Sequence, residues 1–177
     1  MSKTLCMPRV YLFFTALIFC FETEAQDPRW NQINMTGRIT QLSLPDSAEF
    51  QAGGLPVEIW SDDSLTTVIY ADNRGRYSFS LPFFHRYQIR YGGSDYVQKT
   101  VEIDATDFSQ GTMTRGYTLD IDMALFKSDP KHPISIAGPV ARAAYDKKSD
   151  AVLWDAAHTE KVRKATLQAI AANYTEN

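Results

Sequence analysis

The sequence predicts a mainly β protein: a seven-stranded antiparallel β-sandwich followed by a C-terminal helical tail. Three observations carry that expectation. Between residues 33 and 126, apolar and polar residues alternate at a period of two, which places alternate side chains on opposite faces of a strand. Turn-forming residues recur about every ten positions, the spacing of an all-β sandwich. Only residues 159–174 repeat apolar positions at the helical period.

The segments divide the chain into residues 1–25, 31–126 and 127–177. Residues 1–25 read as a secretory signal peptide: Lys3 and Arg9 precede the apolar run 10–21 (VYLFFTALIFCF), and Thr23-Glu24-Ala25 offers a cleavage site. The run is too short to span a bilayer. Phe19 stands where a lipoprotein signal needs a small residue before Cys20. Cleavage removes both cysteines, Cys6 and Cys20, leaving an exported chain held by core packing rather than disulfides.

Seven strands are expected. Residues 35–42 (MTGRITQL) alternate, and 55–60 (LPVEIW) close at Ser61-Asp62-Asp63-Ser64. The β-branched run 65–71 stops at Asp72-Asn73-Arg74-Gly75. Residues 76–81 place Tyr77, Phe79 and Leu81 on one side, and 87–91 end at Gly92-Gly93. Residues 96–103 carry Val97, Lys99, Val101 and Ile103 on one face. The cleanest alternation is in 117–123, with Tyr117, Leu119, Ile121 and Met123 in line. Residues 127–133 hold two prolines and read as a linker. A hairpin is expected around 146–150 within residues 141–154, then a helix over 159–174 capped by Thr159, with Leu167, Ile170, Ala171 and Tyr174 on its apolar face.

Composition and motifs exclude several functions. With 44% hydrophobic residues and only 9 Gly and 8 Pro, the chain is neither disordered nor collagen-like. A net charge of −3, from 18 Lys+Arg against 21 Asp+Glu, gives no footprint for nucleic acid. His85, His132 and His158 form no zinc-binding pattern; on a helix His158 and Glu160 would lie about 200° apart. No Gly-x-Ser-x-Gly elbow occurs, and Gly53-Gly54 and Gly92-Gly93 lack the Lys-Ser/Thr of a phosphate loop. Asp62, Asp63, Asp72, Asp120 and Asp122 could gather around Ca²⁺, but no loop supplies ligands at the density such a site needs. Turns and a solvated strand face account for them better. Neither catalytic residues nor a metal or cofactor site is expected.

The candidate contact residues are Phe83, Phe84 and His85, with Asp62 and Asp63. Phe83-Phe84-His85 breaks the alternation, so at least one of these side chains should be exposed or at a sheet edge. Tyr77, Phe79, Tyr87 and Tyr91 keep the alternation and belong in the core. Trp30, Trp60, Trp154 and Tyr96 complete the aromatics from which a sugar-stacking platform could be drawn.

Residues 36–103 resemble the carboxypeptidase regulatory-like domain, a transthyretin-like (prealbumin-like) β-sandwich. The motifs are Thr36-Gly37-Arg38-Ile39, the segment 54–59 (GLPVEI), the hairpin 72–79 (DNRGRYSF) with Leu81-Pro82, and Ser94-Asp95-Tyr96-Val97. Leu55-Pro56 inverts the usual order, and Asp95 replaces a Gly. Within that group, zinc carboxypeptidase activity is not implied, because the catalytic domain is missing. Hydroxyisourate hydrolase activity is not implied either: that family ends in Tyr-Arg-Gly-Ser, and this chain ends 173–177 (NYTEN). An internal Lys–Asn isopeptide bond needs a Lys in the early strand 35–42, which has none. The strand 117–123 with its linker and helical tail looks like exported bacterial proteins of unassigned function.

The functional expectation is a non-enzymatic accessory or binding module of a Gram-negative cell envelope. It would be exported to the periplasm, the outer membrane or the exterior. Loops near 61–64, 83–86 and 92–95 would meet a protein or glycan, with no nucleic acid partner and no integral membrane segment after signal cleavage. Two alternatives stand beside it: a carbohydrate-binding module using exposed aromatics, and a hydrolase using His85 and nearby carboxylates. The hydrolase requires a carboxylate within about 10 Å of His85.

Overall fold

The computed structural model describes residues 31–44, 48–109 and 116–174. The expected signal peptide and Trp30 lie outside the described residues. Along the rest of the chain, alternation in sequence becomes alternation in burial. In β1 (Gln32–Leu42), Ile33, Met35 and Ile39 are buried while their neighbours are not. The same holds for Val57 and Ile59 in β3 (Pro56–Ser61), Tyr87, Ile89 and Tyr91 in β6 (Arg86–Tyr91), and Val101 and Ile103 in β7 (Lys99–Asp104). These faces meet in one core between two sheets.

The strand count and pairing correct the expected seven-stranded antiparallel sandwich. The described residues form eleven strands in two mixed sheets. The first sheet is organised around β1. On one side β1 pairs antiparallel with β5 (Arg76–Pro82) and, further along, with β2 (Glu49–Gln51), a strand the sequence did not announce. It also pairs in parallel with β8 (Tyr117–Asp120) and β9 (Met123–Leu125). The second sheet runs β11-β10-β7-β6-β3-β4, with β4 spanning Ser64–Tyr70. Its β10 (Ala141–Asp146) pairs in parallel with β7 and antiparallel with β11 (Ala151–Trp154). The expected hairpin over 141–154 is therefore present as an edge of this sheet, which extends past Phe126.

Alternation fixes which face a side chain takes, but not the direction of the neighbouring strand. The expected single strand 117–123 divides into β8 and β9 because the ladder breaks at Ile121 and Asp122. There the Ile121 carbonyl turns toward β1 and accepts from the Tyr77 hydroxyl at 2.6 Å. Gly37 makes room: a Cβ on it would lie 1.9 Å from that carbonyl oxygen.

The turn of the expected hairpin 72–79 forms as its residues suggest, but the strands on either side, β4 and β5, lie in different sheets, so it is a crossover between sheets rather than a hairpin. The Asp72 carboxylate accepts from the amides of Arg74 and Arg76, each at 2.8 Å, and Gly75 takes φ +77°. Tyr77 is buried, whereas Phe79 is only half-buried and stacks beside it at 5.9 Å.

The helix starts before the expected Thr159. It spans Ala156–Tyr174 (α1), and Asp155 caps it by accepting from the His158 amide at 2.9 Å. Thr159 instead hydrogen-bonds back to the Asp155 carbonyl at 3.0 Å. On the expected apolar face Ile170 is half-buried and Leu167 is 51% exposed, so the sandwich covers α1 incompletely. No described helix is long and apolar enough to cross a membrane.

Candidate binding sites

Asp62 and Asp63 form the two-residue turn between β3 and β4, both with positive φ (47° and 65°). That geometry matches strand twist, and Asp tolerates it through its short polar side chain. The turn brings Asp62 to the residues that precede β6. His85 Nδ1 lies 2.6 Å from Asp62 Oδ2, and the Arg86 amide donates to Asp62 Oδ1 at 3.1 Å. These two hydrogen bonds, the His85 one first, hold the Asp62 carboxyl below the usual carboxylate range. Arg86 Nε reaches Asp104 Oδ2 at 3.1 Å, and both line a polar cavity of about 570 Å³ together with Asp63, Gln88 and Glu102.

Four of the five expected contact residues gather at this end. Phe84 is 44% exposed and has φ +73°, a strained backbone for a bulky residue. Its amide is held by the Ala105 carbonyl at 2.7 Å, and His85 O accepts from the Ala105 amide at 3.0 Å. Phe83 is the correction. It is 3% exposed and stacks on Phe108 with ring centroids 3.8 Å apart; Phe108 in turn stacks on Tyr145 at 4.0 Å. Phe83 is therefore core, and the break in alternation reports the outward placement of both Phe84 and His85.

The third expected loop, 92–95, lies at the opposite end of β6 from His85 and does not join the cluster. Of the aromatics offered for sugar stacking, Tyr87 and Tyr91 are buried. Trp60 is half-buried, with the Arg90 guanidinium 4.0 Å from its ring centroid. The distance condition for a hydrolase is met by His85 and Asp62, but no hydroxyl is hydrogen-bonded to His85 among the described residues. No group of three His, Cys, Asp or Glu residues placed to hold a metal occurs among the described residues.

A second, larger site went unannounced by motifs. Between α1, β9 and the start of β10 lies a mainly apolar cleft of about 690 Å³, within the size range of ligand pockets. Leu42, Met123, Phe126, Val140, Trp154, Val162, Leu167 and Ile170 line it. Lys99 enters from β7. Its Nζ donates to the Ala124 carbonyl at 2.6 Å and lies 5.3 Å from the Phe126 ring centroid. No carboxylate pairs with it among the described residues, and burial lowers its pKa. One sequence signal pointed here: Lys99 shares a strand face with Val97, Val101 and Ile103. Asp120, Asp122, Glu160 and Arg163 form polar parts of the rim.

No family model matches the chain, and no curated protein matches it. Among solved structures, the TIE protein of Bacillus anthracis is 15% identical, with 54% of this chain covering 18% of that one at a TM-score of 0.38. The minor pilin GBS52 of Streptococcus agalactiae is 12% identical, with 59% of this chain covering 48% of that one at 0.39. Catechol 1,2-dioxygenase of Acinetobacter radioresistens is 13% identical, with 68% of this chain covering 59% of that one at 0.40. The chain thus spans less than two thirds of each. The chain is a mainly β protein of two mixed sheets with one C-terminal helix.

Proposed function

We propose that this chain is an exported, non-enzymatic binding module of a bacterial cell envelope, related to the carboxypeptidase regulatory-like domain. Its α1 cleft takes an apolar segment of a partner protein. The observation carrying this reading is the cleft itself: about 690 Å³ of mainly apolar lining, roofed by a helix whose Leu167 remains 51% exposed. The β-sheets supply a rigid floor, and the rim residues Asp120, Asp122, Glu160 and Arg163 give a partner polar groups to orient against. Export rests on the apolar run 10–21 and its basic start.

A photo-crosslinking residue placed at Leu167, and separately at Phe84, tests the assignment in intact envelopes. Capture of one defined protein from position 167 but not 84, lost on Val162→Trp, is the expected result. Capture from position 84 alone, or none from either, rejects the cleft. Fractionation tests export, and a chain retained in the cytoplasm rejects that part.

A second reading has its own observation, the exposed and strained Phe84 beside His85 and Asp62. It makes this end a glycan contact. A glycan array showing binding that Phe84→Ala removes supports it.

A further inference from the structure

One edge of the six-stranded sheet is β4, and apart from a register shift that leaves Thr66 without a partner on β3 it lacks the usual devices that close a sheet edge. Its sequence, SLTTVIY, holds no charged residue and no proline. Leu65 and Val68 are exposed, and Tyr70 is 68% exposed. The strand continues to Ala71, which turns both its backbone groups toward β3: its amide donates to Leu55 O and its carbonyl accepts from Gly54 N, each at 3.0 Å. By the alternation of an antiparallel ladder, Val68 and Tyr70 turn theirs to the free side. Among the described residues the edge is thus a row of open hydrogen-bonding groups flanked by threonines and apolar side chains.

We propose that β4 pairs antiparallel with β4 of a second copy of this chain, about a two-fold axis at Val68. The two six-stranded sheets then become one continuous sheet. In this register Val68 faces Val68 of the second copy, Thr66 faces Tyr70, and Thr67 faces Ile69. No like charges meet along the strand.

The charges beyond the strand ends select a second copy over an unrelated peptide. The acidic turn Asp62-Asp63 lies at one end, and beyond the other lies the turn 72–76, where Asp72 pairs with Arg76 and Arg74 leaves a net positive charge. Asp63 and Arg74 form no ion pair among the described residues. Antiparallel alignment on Val68 brings the acidic turn of each copy to the end at which the other carries its net positive 72–76 turn, so the complementarity occurs twice. The pairing uses the same edge of both copies about a two-fold axis, so it closes at two copies.

Sedimentation equilibrium on the purified protein as its host produces it, over roughly the micromolar to millimolar range, tests the proposal. The expected result is a monomer–dimer equilibrium. Val68→Lys places two ammonium groups face to face and should raise Kd at least about tenfold, with the circular dichroism spectrum unchanged. Arg74→Glu should weaken the dimer at low salt, and adding Asp63→Lys to it should restore affinity. A monomer at every concentration, an open-ended series of oligomers, a dimer indifferent to Val68→Lys, or failure of the charge swap to rescue overturns the proposal.

Discussion

The turn end around His85 and the cleft beneath α1 are built in opposite ways. At the turn end a few neighbouring residues hydrogen-bond one another at the solvent surface, with His85 and Asp62 both largely exposed. Water competes for each contact there, and salt screens it. The cleft is assembled from stretches far apart in sequence, from Leu42 to Ile170, and holds an ammonium group that, among the described residues, is largely buried without a counter-ion. Charge is inexpensive at the first place and costly at the second. The first therefore suits a surface that can vary, while the second constrains what may occupy it.

Adjacent substitutions at the turn end give the largest contrast. Phe83→Ala should destabilise by about 3–5 kcal/mol, as expected for an aromatic removed from a core. Phe84→Ala should stay within about 0.5 kcal/mol of wild type, as an exposed site does. Chemical denaturation measures both, and equal losses would show that the two rings share one environment.

Alkaline titration probes the core that both regions rest on. Burial first, then the charges of Asp122 and Asp120, push Tyr77 up to about 12 from 10.0, against the opposing effect of its Tyr91 hydrogen bond. A folded value above the unfolded one means stability present below pH 10 and lost as pH rises toward 12. Against Tyr77→Phe, wild type should lose up to about 2–3 kcal/mol across that window.

Lys99 has the opposite sign. Burial lowers its folded value from 10.5, so between the two values the unfolded chain binds more protons and stability rises with pH. Wild type should gain on Lys99→Met as pH climbs toward 10.5. A difference that stays flat across this range would mean that water reaches the ammonium.

The smallest effect belongs to the exposed pair. Hydrogen bonds from His85 and Arg86 lower the Asp62 carboxyl, so its contribution is present above 3.8 and lost as pH falls through the folded value. Asp62→Asn should move the melting temperature only slightly, and not at all in molar salt. A large salt-resistant loss would give this turn the character of the cleft.

The two regions also differ in how far the sequence announced them. Asp62, Asp63 and His85 were legible because turns obey local rules and a broken alternation marks a local exception. The exception did not say which phenylalanine turns out; packing against Phe108 decided that. The faces of β3, β6 and β7 were legible for the same local reason. The parallel partners of β1 and β7 were not, because direction depends on how connections cross between sheets. The cleft followed from that topology and from the incomplete cover α1 provides, neither of which has a motif.

β1 has a consequence for how the chain reaches its structure. It needs β5, some forty residues on, and then β8 and β9, with Thr36 hydrogen-bonded to Asp120 across 84 positions. The first of the described strands to be synthesised is thus completed only when residues near 125 are available. Such non-local pairing belongs to folding on the scale of milliseconds to seconds. Until then Ile33, Met35 and Ile39 form an open strand face, the species most exposed to aggregation and to any chaperone that meets the nascent chain.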